Sequence, residues 1–152
     1  MSPGRRLRDL DWRTLVVALA ATPVVVVSLR LVGFQRTQAW MTRWPPAPHG
    51  RRPLLRQMAR DRARAVARAV GVAASHGPVR TSCLRRALLA RWLLRREGID
   101  VAIRIGVRPA AAGLCAHAWI EHEGSPVGDD PSVLASYAAF DEDFAAVAER
   151  AR

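Results

Sequence analysis

The chain has no lysine, only two cysteines and a single tyrosine among its 152 residues. All 24 of its basic residues are therefore arginine, a uniformity that reflects a coding preference more than selection for a phosphate-binding surface. The net charge of +11 is accordingly no argument for nucleic acid, and no nucleic-acid partner is expected. Two cysteines, Cys83 and Cys115, are too few for the disulfide framework of a small secreted domain and fit a reducing cytoplasm better. Histidine and cysteine nowhere recur at a four-ligand spacing, and no glycine-rich phosphate loop is present, so neither a metal nor a cofactor is expected.

What is present is unevenly spread. Residues 1–108 carry 22 Arg against 5 acids, a balance of +17, whereas residues 109–152 carry 2 Arg against 8 acids, a balance of −6. The two parts of the chain attract each other. The length suits one core with an appendage. We place the boundary where Trp44, Pro45, Pro46 and Pro48 interrupt helical geometry, giving a hydrophobic helical segment with its linker (1–50) and a folded domain (51–152).

Residues 15–27 form an almost unbroken apolar run, preceded by Arg5, Arg6, Arg8 and Arg13. The run is shorter than the roughly 20 residues that cross a bilayer. Pro23 is expected to kink it. Ala18-Leu19-Ala20 imitates a signal cleavage site but lies inside the run rather than after it. The favoured expectation is a helix or helix pair packed on the domain or a partner. Shallow membrane association through residues 14–34 is the alternative. A signal or a true span is disfavoured.

Residues 54–74 read as a helix with Leu55, Met58, Ala59, Val66, Ala69, Val70 and Ala73 on one side. Arg56, Arg60, Arg64 and Arg68 recur every four residues opposite them, a row read as a solvated face rather than a docking site. Thr81-Ser82 then offer side chains to cap a new, largely apolar helix that Gly98 stops. Cys83 falls in its first turn, where free N–H groups and the helix dipole stabilise an anion and could hold an oxyanion.

Val101, Ile103, Ile105 and Val107 alternate with more polar neighbours as a strand, and residues 110–113 are read as a loop. A second strand over 116–121 puts His117 and Trp119 on one side, with Ala118, Ile120 and His122 on the other. Residues 123–126 make a turn, and Val127-Gly128-Asp129 returns antiparallel, which brings an Asp back to His117. Asp130, before Pro131, is better suited to start the helix-like stretch 132–137, so strand parity selects Asp129 as the partner. Cys83, His117 and Asp129 are thus the candidate nucleophile, base and orienter. A Cys83–Cys115 disulfide is the competing, purely structural use of the thiol. His122 faces away from His117, and Trp119 is read as core.

Ser82-Cys83-Leu84-Arg85-Arg86-Ala87-Leu88, Leu93-Leu94-Arg95-Arg96-Glu97-Gly98-Ile99, Ile105-Gly106-Val107-Arg108, His117-Ala118-Trp119-Ile120-Glu121 and Val127-Gly128-Asp129-Asp130-Pro131 together resemble the leader peptidases of lasso-peptide biosynthesis. These form a branch of the transglutaminase-like, papain-type cysteine fold. The resemblance covers about residues 54–140 and implies an α+β core, in which a helix carrying the Cys packs on a small antiparallel sheet carrying His and Asp. It places the catalytic residues on Cys83, His117 and Asp129. It implies removal of the leader from a ribosomally made precursor peptide before macrolactam formation by a separate cyclase, and a separate leader-recognition protein as partner. Two departures stand out: Gly128, where a polar residue is common, and Cys115 close to the His. Two other readings remain open: a transglutaminase-like acyl transferase, and a catalytically silent module that binds a peptide or partner.

Overall fold

A computed structural model describes residues 12–43, 56–77, 81–111 and 113–140. The expected domain boundary near Pro45–Pro48, and residues 141–152, lie outside the described residues.

The chain opens with α1 (Trp12–Leu31) and α2 (Gly33–Arg43), which meet at Val32 and at Gly33 with φ +80°. Helix α1 is longer than the apolar run and continues through Pro23, where the sequence led us to expect a kink. Proline leaves the carbonyl one turn back without its helical donor. Packing compensates: α1 lies against α3 (Arg56–His76), and Ala18 and Val25 enter the core. The buried side of α1 is Thr14, Ala18, Thr22, Val25 and Val26, with the Thr22 hydroxyl donating to the Ala18 carbonyl at 2.7 Å. By length and composition α1 is able to cross a membrane, yet 28% of its apolar stretch is buried inside the protein.

Helix α3 buries Ala59, Ala63, Val66, Ala69, Val70 and Ala73, a seam of small residues that lets its neighbours approach closely. Met58, assigned to this seam by periodicity, is 55% exposed. Helix α4 (Cys83–Arg96) packs beside it through Ala87, Leu88, Leu94 and their neighbours. Arg62 ties three helices together. Its guanidinium holds both carboxylate oxygens of Glu97, just beyond the end of α4, at 2.6 Å and donates to the Thr14 hydroxyl of α1 at 2.9 Å.

The sheet has the order β3-β2-β1-β4, antiparallel throughout. Strands β1 (Ala102–Ala110) and β2 (Gly113–His122) pair along their whole length, so the expected 110–113 loop is only the tip of a tight hairpin. The turn into β3 (Ser125–Val127) is likewise shorter than expected: only Glu123 and Gly124 form it, with φ +50° and +72°. Positive φ at both central residues matches the twist of the flanking strands, so Ser125 and Pro126 already pair with β2. Ile103, Ala118, Ile120 and Val127 join the helices in the core. A four-residue helix α5 (Pro131–Leu134) leads to β4 (Ala138–Ala139), which the sequence did not foreshadow and which pairs with Gly106 and Val107. The result is the α+β arrangement expected, a Cys-bearing helix on a small antiparallel sheet with an apolar N-terminal helix.

Candidate active site

Cys83 is the first residue of α4, half-buried against the core, and its thiol is free, as is that of Cys115. Ser82 occupies the cap position, but its hydroxyl makes no capping bond, unlike the expectation from sequence. Among the described residues the buried Thr81 hydroxyl has no partner. The backbone N–H of Arg86 is the first to bond inward, to Ser82 O at 3.1 Å. The donors before it therefore carry no side-chain cap, which suits them to an oxyanion.

His117 sits in the middle of β2, opposite Gly106 of β1. A Cβ at Gly106 would fall 2.9 Å from the tip of the Trp119 ring and 3.0 Å from the Tyr137 Cβ, so glycine is what lets these two rings close around the imidazole. The His117 ring stacks on Trp119 with centroids 6.1 Å apart and meets Tyr137 at 5.5 Å. Tyr137 was read from sequence as part of a helix-like stretch. It is instead the third wall of the histidine's pocket, and the sole tyrosine of the chain was the signal available. Its hydroxyl also lies 3.7 Å from the Cys115 sulfur, and its ring lies 5.2 Å beneath the Arg108 guanidinium. The hydrogen bond and charge interaction with Tyr137 raise the pKa of Arg108, which stays charged.

Asp129 Oδ1 lies 3.6 Å from His117 Nε2, an ion-pair contact longer than a hydrogen bond. Strand parity does not produce this approach. Continuing the β2–β3 register would set Asp129 opposite Ala118, on the face away from His117. Gly128, with φ +88°, ends the pairing and turns the chain. A Cβ there would also stand 2.6 Å from the Ala67 Cβ of α3, so any side chain is excluded from both the conformation and the space. This accounts for a glycine where a polar residue is common. Asp130 is engaged elsewhere: it caps α5, accepting from the Ser132 N–H at 2.9 Å and hydroxyl at 2.8 Å, and these bonds lower its pKa.

Cys83 and Asp129 line one cavity of about 130 Å³, together with Trp119, Arg68, Arg86 and a wall of small residues from α3 and α4. Asp129 is thus common to both halves of the site, facing the cavity that Cys83 lines and the ring of His117. The structure does not join the other two directly: among the described residues, no hydrogen bond links the Cys83 thiol to the His117 ring. Catalytic bonds in unliganded sites are commonly long and tighten when substrate binds. With Nε2 turned to the carboxylate, Nδ1 is the ring nitrogen left for proton transfer. Trp119 is 3% exposed yet borders the cavity, and its Nε1 donates to Glu121 at 3.0 Å. His122 is buried at the end of β2, with Nδ1 on the Asp100 carbonyl at 2.9 Å, a structural placement.

A family model described as the transglutaminase-like superfamily matches residues 25–140. The chain belongs to that superfamily. Superfamily members are generally cysteine peptidases or acyltransferases, and the match includes Cys83, His117 and Asp129 together with the last third of α1. No curated protein and no solved structure matches the chain.

Proposed function

We propose that this protein is a cysteine peptidase that removes the leader from a lasso-peptide precursor, with Cys83 as nucleophile, His117 as general acid and base, and Asp129 as its orienter. The observation that carries the reading is the position of Asp129, 3.6 Å from the imidazole and on the wall of the cavity that Cys83 lines. The sequence resemblance supplies the substrate class. The Cys83 thiolate attacks the carbonyl of the last leader residue, and the carbonyl oxygen takes up charge facing the first turn of α4. His117 gives its proton to the departing core amine as the C–N bond breaks, leaving a thioester. Water, deprotonated by His117, then releases the leader as its carboxylate and frees the thiol. A separate leader-recognition protein and the cyclase are the partners this reading requires.

The test is precursor cleavage in the presence of the recognition partner, followed by mass spectrometry. Cys83→Ser is expected to abolish cleavage, and His117→Ala to reduce it by about 10²–10⁴-fold. Asp129→Ala is expected to cost less than either. Normal cleavage by Cys83→Ser or His117→Ala overturns the proposal, and an amine adduct in place of free leader would reassign the protein as an acyl transferase.

We further propose that α1 rests on an anionic membrane surface. Trp12, Val16, Val17, Val24, Val27 and Leu31 are exposed, and exposed Arg13 and Arg30 lie among them near the two ends of the helix. A second copy fits this face poorly: parallel pairing sets each of these arginines against itself, and antiparallel pairing sets Arg13 against Arg30. Lipid phosphates complement the same arginines.

A further inference from the structure

Arg68 and Arg86 set the cavity apart from the rest of the basic surface. Most arginines around α3 are already answered. Arg56 pairs with Glu123 at 2.8 Å, Arg60 donates to the Ser125 hydroxyl at 2.7 Å, Arg62 holds Glu97, and Arg64 meets Asp61 at 3.5 Å. Arg68 continues this row to the cavity, and Arg86 reaches it from α4, one turn after Cys83. Neither guanidinium has an acid, hydroxyl or carbonyl partner among the described residues, and Arg86 is half-buried.

A guanidinium partly withdrawn from water and left without a counter-charge gains from any anion that reaches it, and its planar fork matches a carboxylate with two parallel hydrogen bonds. The adjoining wall, which includes Ala67, Gly71, Ala87 and Ala90, is small and apolar, so it leaves room and strengthens the attraction by excluding water. The one acid on the wall, Asp129, is directed at His117.

We propose that Arg68 and Arg86 form an anion-reading wall of the Cys83 cavity and hold a carboxylate of the substrate beside the bond under attack. The site's relation to the scissile bond rests on the peptidase reading; the anion preference does not. The carboxylate comes either from an acidic side chain or from a chain terminus.

Two alkylating reagents test the preference without any need for cleavage. Iodoacetate and iodoacetamide both transfer their methylene carbon to the thiolate with loss of iodide, and differ in carrying a carboxylate or a neutral amide. The rate ratio, acid over amide, is read at Cys83 by peptide mass spectrometry and referred to the ratio for free cysteine. In the native protein the referred ratio is expected to be raised about tenfold. Arg86→Gln and Arg68→Gln are each expected to bring it down towards that of free cysteine, while Arg86→Lys retains part of it. Arg64→Gln removes the same charge outside the cavity and leaves the ratio as in the native protein. Because Arg68 is exposed, its variant carries the test even if a change at position 86 disturbs folding. A native ratio equal to that of free cysteine, or a raised one that neither glutamine variant lowers, overturns the proposal.

Peptides then locate the carboxylate. Faster cleavage of Glu over Gln next to the scissile bond assigns a side chain, and faster cleavage of a free over an amidated C-terminus assigns a terminus. Failure to cleave any precursor peptide in the presence of the recognition partner, with the alkylation preference intact, sinks the peptidase reading and leaves the anion wall standing. Cleavage without acid preference, at an unraised alkylation ratio, does the reverse.

Discussion

Helices α1 and α3 are nearly the same length, 20 and 21 residues, and lie against each other, but their sequences orient them in opposite ways. Helix α3 is amphipathic: small apolar residues face inward, most of its arginines other than Arg62 face outward, and the pattern alone sets its rotation. Helix α1 is apolar all round, and two of the five residues it buries are threonines. Hydrophobicity therefore cannot choose its inner face. The choice falls to small side chains that allow close approach and to one polar contact, Arg62 to Thr14. An amphipathic helix announces its neighbour, whereas a uniformly apolar one is rotated by its partner and keeps apolar surface to spare.

Adjacent positions on α1 give the strongest way to break this contrast. Ala18→Asp places an unpaired carboxylate where the residue is 0% exposed and is expected to cost at least about 3 kcal/mol. Val17→Asp, one residue away, should change the urea midpoint little. Equal losses would mean that α1 is not held by its threonine face.

The supporting role of α3 is sharpened by Gly128→Ala, which forces a left-handed residue to carry a Cβ against Ala67. A loss of about 1–3 kcal/mol is expected, together with reduced precursor cleavage as Asp129 is displaced. Arg62→Met follows at about 1–3 kcal/mol, because it strands the half-buried carboxylate of Glu97 and the hydroxyl of Thr14. Its effect should shrink in a Glu97→Gln background, which a double-mutant cycle measures. The outward face is addressed by Val24→Asp with Val27→Asp. Thermal stability is expected to change by no more than about 0.5 kcal/mol per site, while flotation with vesicles of anionic phospholipid is lost. Retained flotation would remove the membrane from the account.

The smallest effect concerns Asp130. Its folded pKa lies below the ordinary 3.8 because Ser132 stabilises the carboxylate. The cap therefore contributes fully above the unfolded value and is lost as pH falls through the lower folded one. Acid titration of native and Asp130→Asn protein should diverge above this window and converge beneath it.

Much of this was written in local pattern. The alternation of residues 101–108 and 116–121 marks two strands, and the apolar density after Cys83 marks a buried helix. Other features depend on contacts the pattern does not carry. Two alanines make β4 only because Gly106 leaves an open place on β1. The arginine row on α3 looks uniform in sequence, yet its first members are bound by Glu123, Ser125 and Asp61, and Arg68 alone reaches the cavity. Parity suggested Asp129 for a reason the fold does not use: a left-handed glycine, not strand alternation, turns it to His117. The two tight turns were read as too long because positive φ at Glu123 is not foreseeable from residue type.

The borders of the sheet have a consequence for solubility. One margin is three residues long and contains Pro126, which has no amide hydrogen to offer, and the opposite margin is the alanine pair. Neither of these two short strands itself presents a ladder on which a foreign strand could grow. Growth of the sheet by addition of an extended chain to β3 or β4 is thereby disfavoured, whether that chain is a substrate or a second copy of this protein.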